Sequence, residues 1–94
     1  MKSKKDIILL GSTGSIGETS LRLLRENKDK FNLIGVSAHN NVRLLSEIVN
    51  EFDVPNVVLS DATNAKNYFG KNELHVGSLC LTDLAKIKCD IVIT

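Results

Sequence analysis

The stretch that most constrains what this chain can fold into is Ile7-Ile8-Leu9-Leu10-Gly11-Ser12-Thr13-Gly14-Ser15-Ile16-Gly17. Four apolar residues run into a loop with glycine at every third position, and an amphipathic segment follows at once. That order predicts a buried strand, a tight turn and a helix that opens on the turn. Gly11 lets the chain leave the strand in a conformation that a Cβ hinders. Gly14 lets backbone come close to a pyrophosphate, and Gly17 lets the helix pack close to the strand. The helix N-terminus offers free N–H groups and the positive end of its dipole, which suits an anion. Thr13 and Ser15 add hydroxyls within reach of phosphate oxygens. The expectation is dinucleotide binding. The spacing is G-x-x-G-x-x-G, not the commoner G-x-G-x-x-G, so its weight comes from its place between a strand and a helix.

The rest of the chain alternates strands and helices, the pattern of an α/β fold with a Rossmann-like, doubly wound parallel sheet. A first strand is expected at Asp6–Leu10, then a helix over Ser15–Asn27 with Ile16, Leu21, Leu23 and Leu24 as its apolar side. Phe31–Ser37 reads as the second strand. The next helix starts near Val42, capped by Asn40 or Asn41, and should bury Leu44, Leu45, Ile48, Val49 and Phe52. Pro55 closes that connection, since the residue before proline avoids helix, and Asn56–Leu59 is the third strand. Asp61 can cap a short helix that ends at Gly70, and Glu73–Gly77 suits a short extra strand. Thr82 can cap a helix over Asp83–Ile87 with Leu81, Leu84 and Ile87 inward. Asp90–Thr94 reads as a strand of the sheet's interior, with Ile91 and Ile93 on one face and Val92 on the other.

In open α/β sheets the loops beyond the strands' carboxyl ends form the ligand crevice. A strand with nothing after it therefore points to part of a larger enzyme. Residues 1–94 are expected to be an N-terminal dinucleotide-binding domain, with catalytic and C-terminal domains outside the chain.

Composition narrows the partners. The chain has 94 residues, 43% hydrophobic and 24% charged, with a formal net charge of +1. That balance gives no electrostatic case for nucleic acid or an anionic membrane. Lys2, Lys4 and Lys5 form a small basic cluster closed by Asp6, which reads as a solvated tail. Phe31, Phe52, Tyr68 and Phe69 make no stacking platform for single-stranded nucleic acid. No apolar run approaches a membrane span of about 18 residues, and no secretory apolar core precedes the first strand, so a cytoplasmic chain is expected. Cys80 and Cys89 lie too far apart for a C-x-x-C motif, which leaves two free thiols. His39 and His75 are not at metal-pair spacing.

The carboxyl end of the second strand bears on which cofactor is taken. An Asp or Glu about 20 residues past the glycine motif bonds the adenosine ribose and disfavours a 2′-phosphate. Here that place holds Ser37-Ala38-His39-Asn40-Asn41, with no carboxylate and with Arg43 nearby. Ser, His and Asn can donate hydrogen bonds to a phosphate, which favours NADPH over NADH. The residues alone leave other readings open. One is another NAD(P)-dependent oxidoreductase or epimerase, which would carry a Tyr-x-x-x-Lys pair or a nucleophilic cysteine further on. The other is a dinucleotide-sensing domain with no enzymatic role, joined to a region of different charge.

The run Ile8-Leu9-Leu10-Gly11-Ser12-Thr13-Gly14-Ser15-Ile16-Gly17 resembles the N-terminal signature of the 1-deoxy-D-xylulose 5-phosphate reductoisomerases. So does Leu33-Ile34-Gly35-Val36-Ser37-Ala38-His39-Asn40-Asn41, at the family's spacing from the glycine loop. Asp90-Ile91-Val92-Ile93-Thr94 resembles the strand before that family's next cofactor loop. The resemblance implies an NADPH-dependent oxidoreductase of isoprene biosynthesis by the non-mevalonate route. Such an enzyme rearranges and reduces 1-deoxy-D-xylulose 5-phosphate to 2-C-methyl-D-erythritol 4-phosphate. It also implies a divalent metal, magnesium or manganese, a phosphosugar substrate and a homodimer for the full-length protein. Thr13, Gly14, Ser15 and Ile16 would meet the cofactor pyrophosphate, and Asn40 and Asn41 would belong to the ribose-phosphate loop. Where many members carry Gly-Lys before the asparagine that Asn41 matches, this chain has His39-Asn40. The family's catalytic and metal residues match positions beyond Thr94, so no catalytic or metal-binding residue is assigned and the 94 residues alone are expected to be inactive.

Overall fold

The computed structural model describes residues 4–94 and places the apolar runs in one parallel sheet. Its strands are β1 (Lys5–Leu9), β2 (Phe31–Ala38), β3 (Asn56–Leu59), β4 (Leu74–Val76) and β5 (Ile91–Ile93). The helices are α1 (Ser15–Glu26), α2 (Val42–Phe52) and α3 (Ser78–Ala85), with a 3-10 helix over Ala62–Asn67. The spatial order is β4-β3-β2-β1-β5, and every pairing is parallel. The chain thus builds outward from β1 through β2, β3 and β4, then returns to the other side of β1 as β5. The reversal falls between β1 and β5, and crevices in such sheets open at that switch point, beyond the strands' carboxyl ends.

Alternation along β1 sets the two layers. Ile7 and Leu9 join a core with Leu21 and Leu24 of α1 and Leu45, Ile48 and Val49 of α2. Ile8 points the other way, into a smaller cluster with Val58 and Leu84 of α3. The two faces are therefore covered unequally. Gly35 belongs to the thin face, where a Cβ would come within 2.8 Å of Leu84 Cδ1.

Several expectations change in detail. Ile16 and Leu23 are 63% and 55% exposed, because α1 rests on the sheet through Gly17, Leu21 and Leu24 only. The third helix begins at Ser78, not Asp83, and its N-cap is Gly77 at φ 108°, a backbone open to glycine. Thr82 is not the cap; its hydroxyl bonds back to the Ser78 carbonyl inside the helix. Among the described residues β5 is an edge strand, so Ile91 and Val92 are 39% and 43% exposed where burial on both faces was expected. Its expected sidedness holds, since Ile91 and Ile93 are in register with Ile7 and Leu9, and Ile93 packs on the larger core. Of the basic cluster, Lys4 is exposed and Lys5 opens β1, while Lys2 lies outside the described residues. No described helix is long and apolar enough to cross a membrane.

Candidate functional site

The glycine loop leaves β1 at the switch point and is held from three directions. Gly11 takes φ 70°, the left-handed conformation that its place in the motif required. On the β2 side, the Gly11 N–H donates to Ser37 Oγ at 3.0 Å, and Ser12 donates to the Ser37 carbonyl through its N–H at 2.7 Å and its hydroxyl at 2.9 Å. Toward β5, the Leu10 N–H donates to the Ile93 carbonyl at 2.8 Å. On the α1 side, a Cβ at Gly17 would run into the Ser12 carbonyl and lie 2.7 Å from the Gly11 oxygen. Close packing of helix against loop is therefore what Gly17 permits.

Gly14 differs from both. It is the N-cap of α1 with an extended backbone, and no side chain caps the helix. A Cβ there would meet nothing nearer than the Gly11 oxygen at 3.6 Å. The chain itself leaves that space open. The first-turn N–H groups of a helix have no intrahelical partner, and those of Ser15, Ile16 and Gly17 stand at an uncapped end carrying the dipole's positive charge. Thr13 is half-buried, whereas Gly14, Ser15 and Ile16 are exposed. This is a cradle of main-chain donors suited to a phosphate.

The second loop follows β2. Asn41, not Asn40, caps α2, with Oδ1 accepting from the Leu44 N–H at 3.2 Å, which leaves its amide NH2 as a donor. Asn40 and His39 are exposed, and the Asn40 carbonyl accepts from the Val42 N–H at 2.9 Å. His39 Nδ1 lies 3.0 Å from Ser60 Oγ at the end of β3. The exposed Arg43 guanidinium stands 3.8 Å from Glu47, one turn along α2. Ser37 is the residue that departs from expectation. It is buried, and its hydroxyl serves Gly11 instead of facing a ligand.

Asp61 caps the 3-10 helix as expected, its carboxyl accepting from the Thr63 N–H at 3.0 Å, but its place beside the second loop was not read from the sequence. The spacing from the glycines leaves Ser37–Asn41 without a carboxylate, but the β2–β3 pairing brings Asp61 alongside, its N–H donating to the His39 carbonyl at 2.8 Å. Hydrogen bonds from the Thr63 hydroxyl and amide hold the Asp61 carboxyl below its usual range, with a smaller contribution from His39. The readable signal was Asp-x-Thr after a third strand, an Asx turn at a sheet's carboxyl edge.

The two loops thus lie together at one end of the sheet, joined through Ser37. A cleft of about 350 Å³ between α1 and α2 reaches Ser12 and Thr13, but the other expected cofactor residues lie in the open. A second cavity, about 250 Å³, lies under α3 near His75 and Cys80 and holds none of them. Cys80 and Cys89 are free, and among the described residues no group of three or more His, Cys, Asp or Glu is placed to hold a metal.

A doubly wound parallel sheet, a glycine loop at its switch point and an uncapped helix behind that loop define a Rossmann-type domain. Within that class the relationship is specific. The family model for 1-deoxy-D-xylulose 5-phosphate reductoisomerase matches residues 7–94, and the chain belongs to that family. A reductoisomerase from a Thermoanaerobacter species is 37% identical over 93 residues, which is 95% of this chain and 24% of that protein. The chain thus spans about a quarter of the length of such relatives. The structure of the reductoisomerase from Zymomonas mobilis in complex with NADPH superimposes with a TM-score of 0.90 at 25% identity, over 98% of this chain and 26% of that one. A reductoisomerase structure in complex with magnesium, at 21% identity and a TM-score of 0.79 over 94% of this chain and 24% of that one, repeats the fold.

Proposed function

We propose that residues 1–94 form the N-terminal NADPH-binding domain of a 1-deoxy-D-xylulose 5-phosphate reductoisomerase. The observation that carries this is the open cradle at Gly14, placed at the switch point of a sheet that superimposes on a reductoisomerase bound to NADPH. In this reading Thr13, Gly14, Ser15 and Ile16 hold the pyrophosphate through main-chain N–H groups and hydroxyls. Asn40 and Asn41 take the adenosine ribose and its 2′-phosphate, with His39 beside them.

Bound NADPH supplies the hydride that reduces the rearranged sugar phosphate. The chain's own residues bind the cofactor and fix its direction across the sheet edge; none is assigned a proton transfer. In this reading the phosphosugar and the magnesium or manganese ion are held by parts of the full-length enzyme that match positions beyond Thr94, as the resemblance to the family implies. The whole enzyme would act in the cytoplasm as a homodimer, in the non-mevalonate route to isoprenoids.

Preference for NADPH over NADH should be real but modest. Neutral donors to a charged partner contribute roughly 1.5–3 kcal/mol each, less when solvated, and the Asp61 carboxylate next to His39 opposes a 2′-phosphate. Titration of both cofactors into the full-length protein checks this. A dissociation constant for NADPH about tenfold below that for NADH is expected, and equal or tighter NADH binding would sink the assignment of the second loop.

A further inference from the structure

Ser12, Ser37 and Ser46 are the buried polar side chains among the described residues. Ser46 has an architectural task, accepting from the Phe69 N–H at 3.1 Å while its hydroxyl bonds the Val42 carbonyl. The other two clasp each other at the one place where both cofactor loops begin. The Ser37 hydroxyl takes the Gly11 N–H, and the Ser37 carbonyl takes both donors of Ser12. Ser12 and Ser37 are 1% and 3% exposed, so water cannot replace a lost partner at either.

We infer that Ser37 is a positioning residue for the cofactor, one that shapes the pyrophosphate loop from the strand that carries the ribose-phosphate loop. The inference rests on the NADPH reading above. Gly11 supplies the second amide after β1, in a left-handed conformation that leaves its N–H turned toward β2. With that N–H held, the turn through Gly14 has one shape, and the donors at the start of α1 converge before any ligand arrives. Without an acceptor, the part-buried Gly11 N–H favours other loop shapes that expose it fully to water, and binding must first select the competent one. Asn41 lies four residues beyond Ser37, past main-chain anchors that Ser37 does not supply: the Ala38 carbonyl accepts the Ser60 N–H, and that of His39 accepts the Asp61 N–H. The hydroxyl of Ser37 therefore governs the pyrophosphate half of the site and not the adenosine half.

That division is what the experiment reads. In the full-length protein, Ser37→Ala removes the acceptor for Gly11 and keeps the carbonyl bonds to Ser12. NADPH should bind about tenfold more weakly, while adenosine 2′-monophosphate, which lacks the pyrophosphate, should change by less than about twofold. Amide exchange at Gly11 should quicken, and Ser37→Thr, which keeps the hydroxyl, should restore NADPH affinity. Parallel weakening of both ligands would show a general loosening of the fold and overturn the inference; so would unchanged NADPH affinity in Ser37→Ala. If Ser37→Ala does not fold, Ser37→Cys, whose sulfur is only a weak acceptor for the Gly11 N–H, must show the same split at smaller size, or the inference fails. Absence of NADPH binding in the parent protein is a different result, which removes the proposed function itself.

Discussion

The loop after β1 and the loop after β2 lie side by side at the carboxyl edge of the sheet, and they are built from opposite materials. The first is made of main chain: glycines at 11, 14 and 17, buried anchors at Ser12 and Ser37, and uncapped N–H groups whose positions follow from the backbone path. The second is made of exposed side chains, His39, Asn40 and Asn41, on a backbone fixed by ordinary capping. A pyrophosphate is common to all nicotinamide dinucleotides and can be met by a rigid cradle that does not vary. The 2′-phosphate is what distinguishes them, and in the proposed function discrimination there falls to these exposed side chains. On that proposal, rigidity and specificity reside in different loops.

The sharpest test of that division lies within the first loop. Gly14→Val adds a side chain where the chain leaves open space, so helix content and melting temperature should be kept while NADPH binding weakens on the order of a hundredfold or more, as two or more phosphate bonds are lost. Gly17→Ala should do the reverse in kind. Its methyl runs into backbone that cannot give way as a side chain can, and the expected cost is about 1–3 kcal/mol of stability or more. Circular dichroism melts and NADPH titrations of the two variants separate the outcomes. Unchanged affinity in Gly14→Val would reduce the glycine loop to a structural turn.

The second loop is broken by changing one charge. Asn41→Asp keeps an oxygen acceptor for the Leu44 N–H, so α2 remains capped and stability should change by less than about 0.5 kcal/mol. The new carboxylate would accept from a ribose hydroxyl and repel a 2′-phosphate. NADPH should bind about tenfold more weakly and NADH no worse, which reverses the preference. If both cofactors weaken alike, Asn41 acts only as a cap and recognition of the 2′-phosphate lies elsewhere.

What the sequence discloses follows the same line. The first loop was legible because glycine spacing between a strand and a helix is a statement about backbone, and backbone sets where its own N–H groups point. A cap at Asn40 or Asn41, the bounds of β3 and the order of elements were legible for the same local reasons, and the structure decides the cap for Asn41. The role of Ser37 was not, because a serine at a strand's end can face a ligand or the neighbouring loop, and the β1–β2 pairing decides which. Asp61 was hidden for a related reason: it comes beside His39 only through the β2–β3 register, 22 positions along the chain. The start of α3 escaped because Gly77 caps it through its own positive φ, with no Ser, Thr, Asp or Asn at that position. The burial of β5 was over-read, since a continuous apolar run specifies what a strand can tolerate on its faces and not what covers them.

The smallest effect is expected away from both loops, and it guards the comparison. Arg25 and Glu51 tie α1 to α2 near their C-terminal ends, Arg25 Nε and Nη2 donating to the two carboxylate oxygens, the second at 2.8 Å. Those hydrogen bonds hold the Glu51 carboxyl below its ordinary range and raise Arg25 above its own, desolvation opposing each. A carboxyl lowered in the folded chain stabilises it above the unfolded value of about 4.3, and that contribution is lost as pH falls through the folded value. The side chains are 46% and 32% exposed, so solvent screens the pair and its worth is below about 1 kcal/mol. Glu51→Gln should therefore lower stability by less than about 1 kcal/mol at neutral pH, with the difference from the parent vanishing as melts are taken down through the carboxylate range. NADPH affinity should not change, because the loops occupy the opposite ends of both helices. A shift in affinity would mean that the α1–α2 contact transmits to the cradle, and the rigidity assigned to the glycine loop would then belong to the whole helical layer.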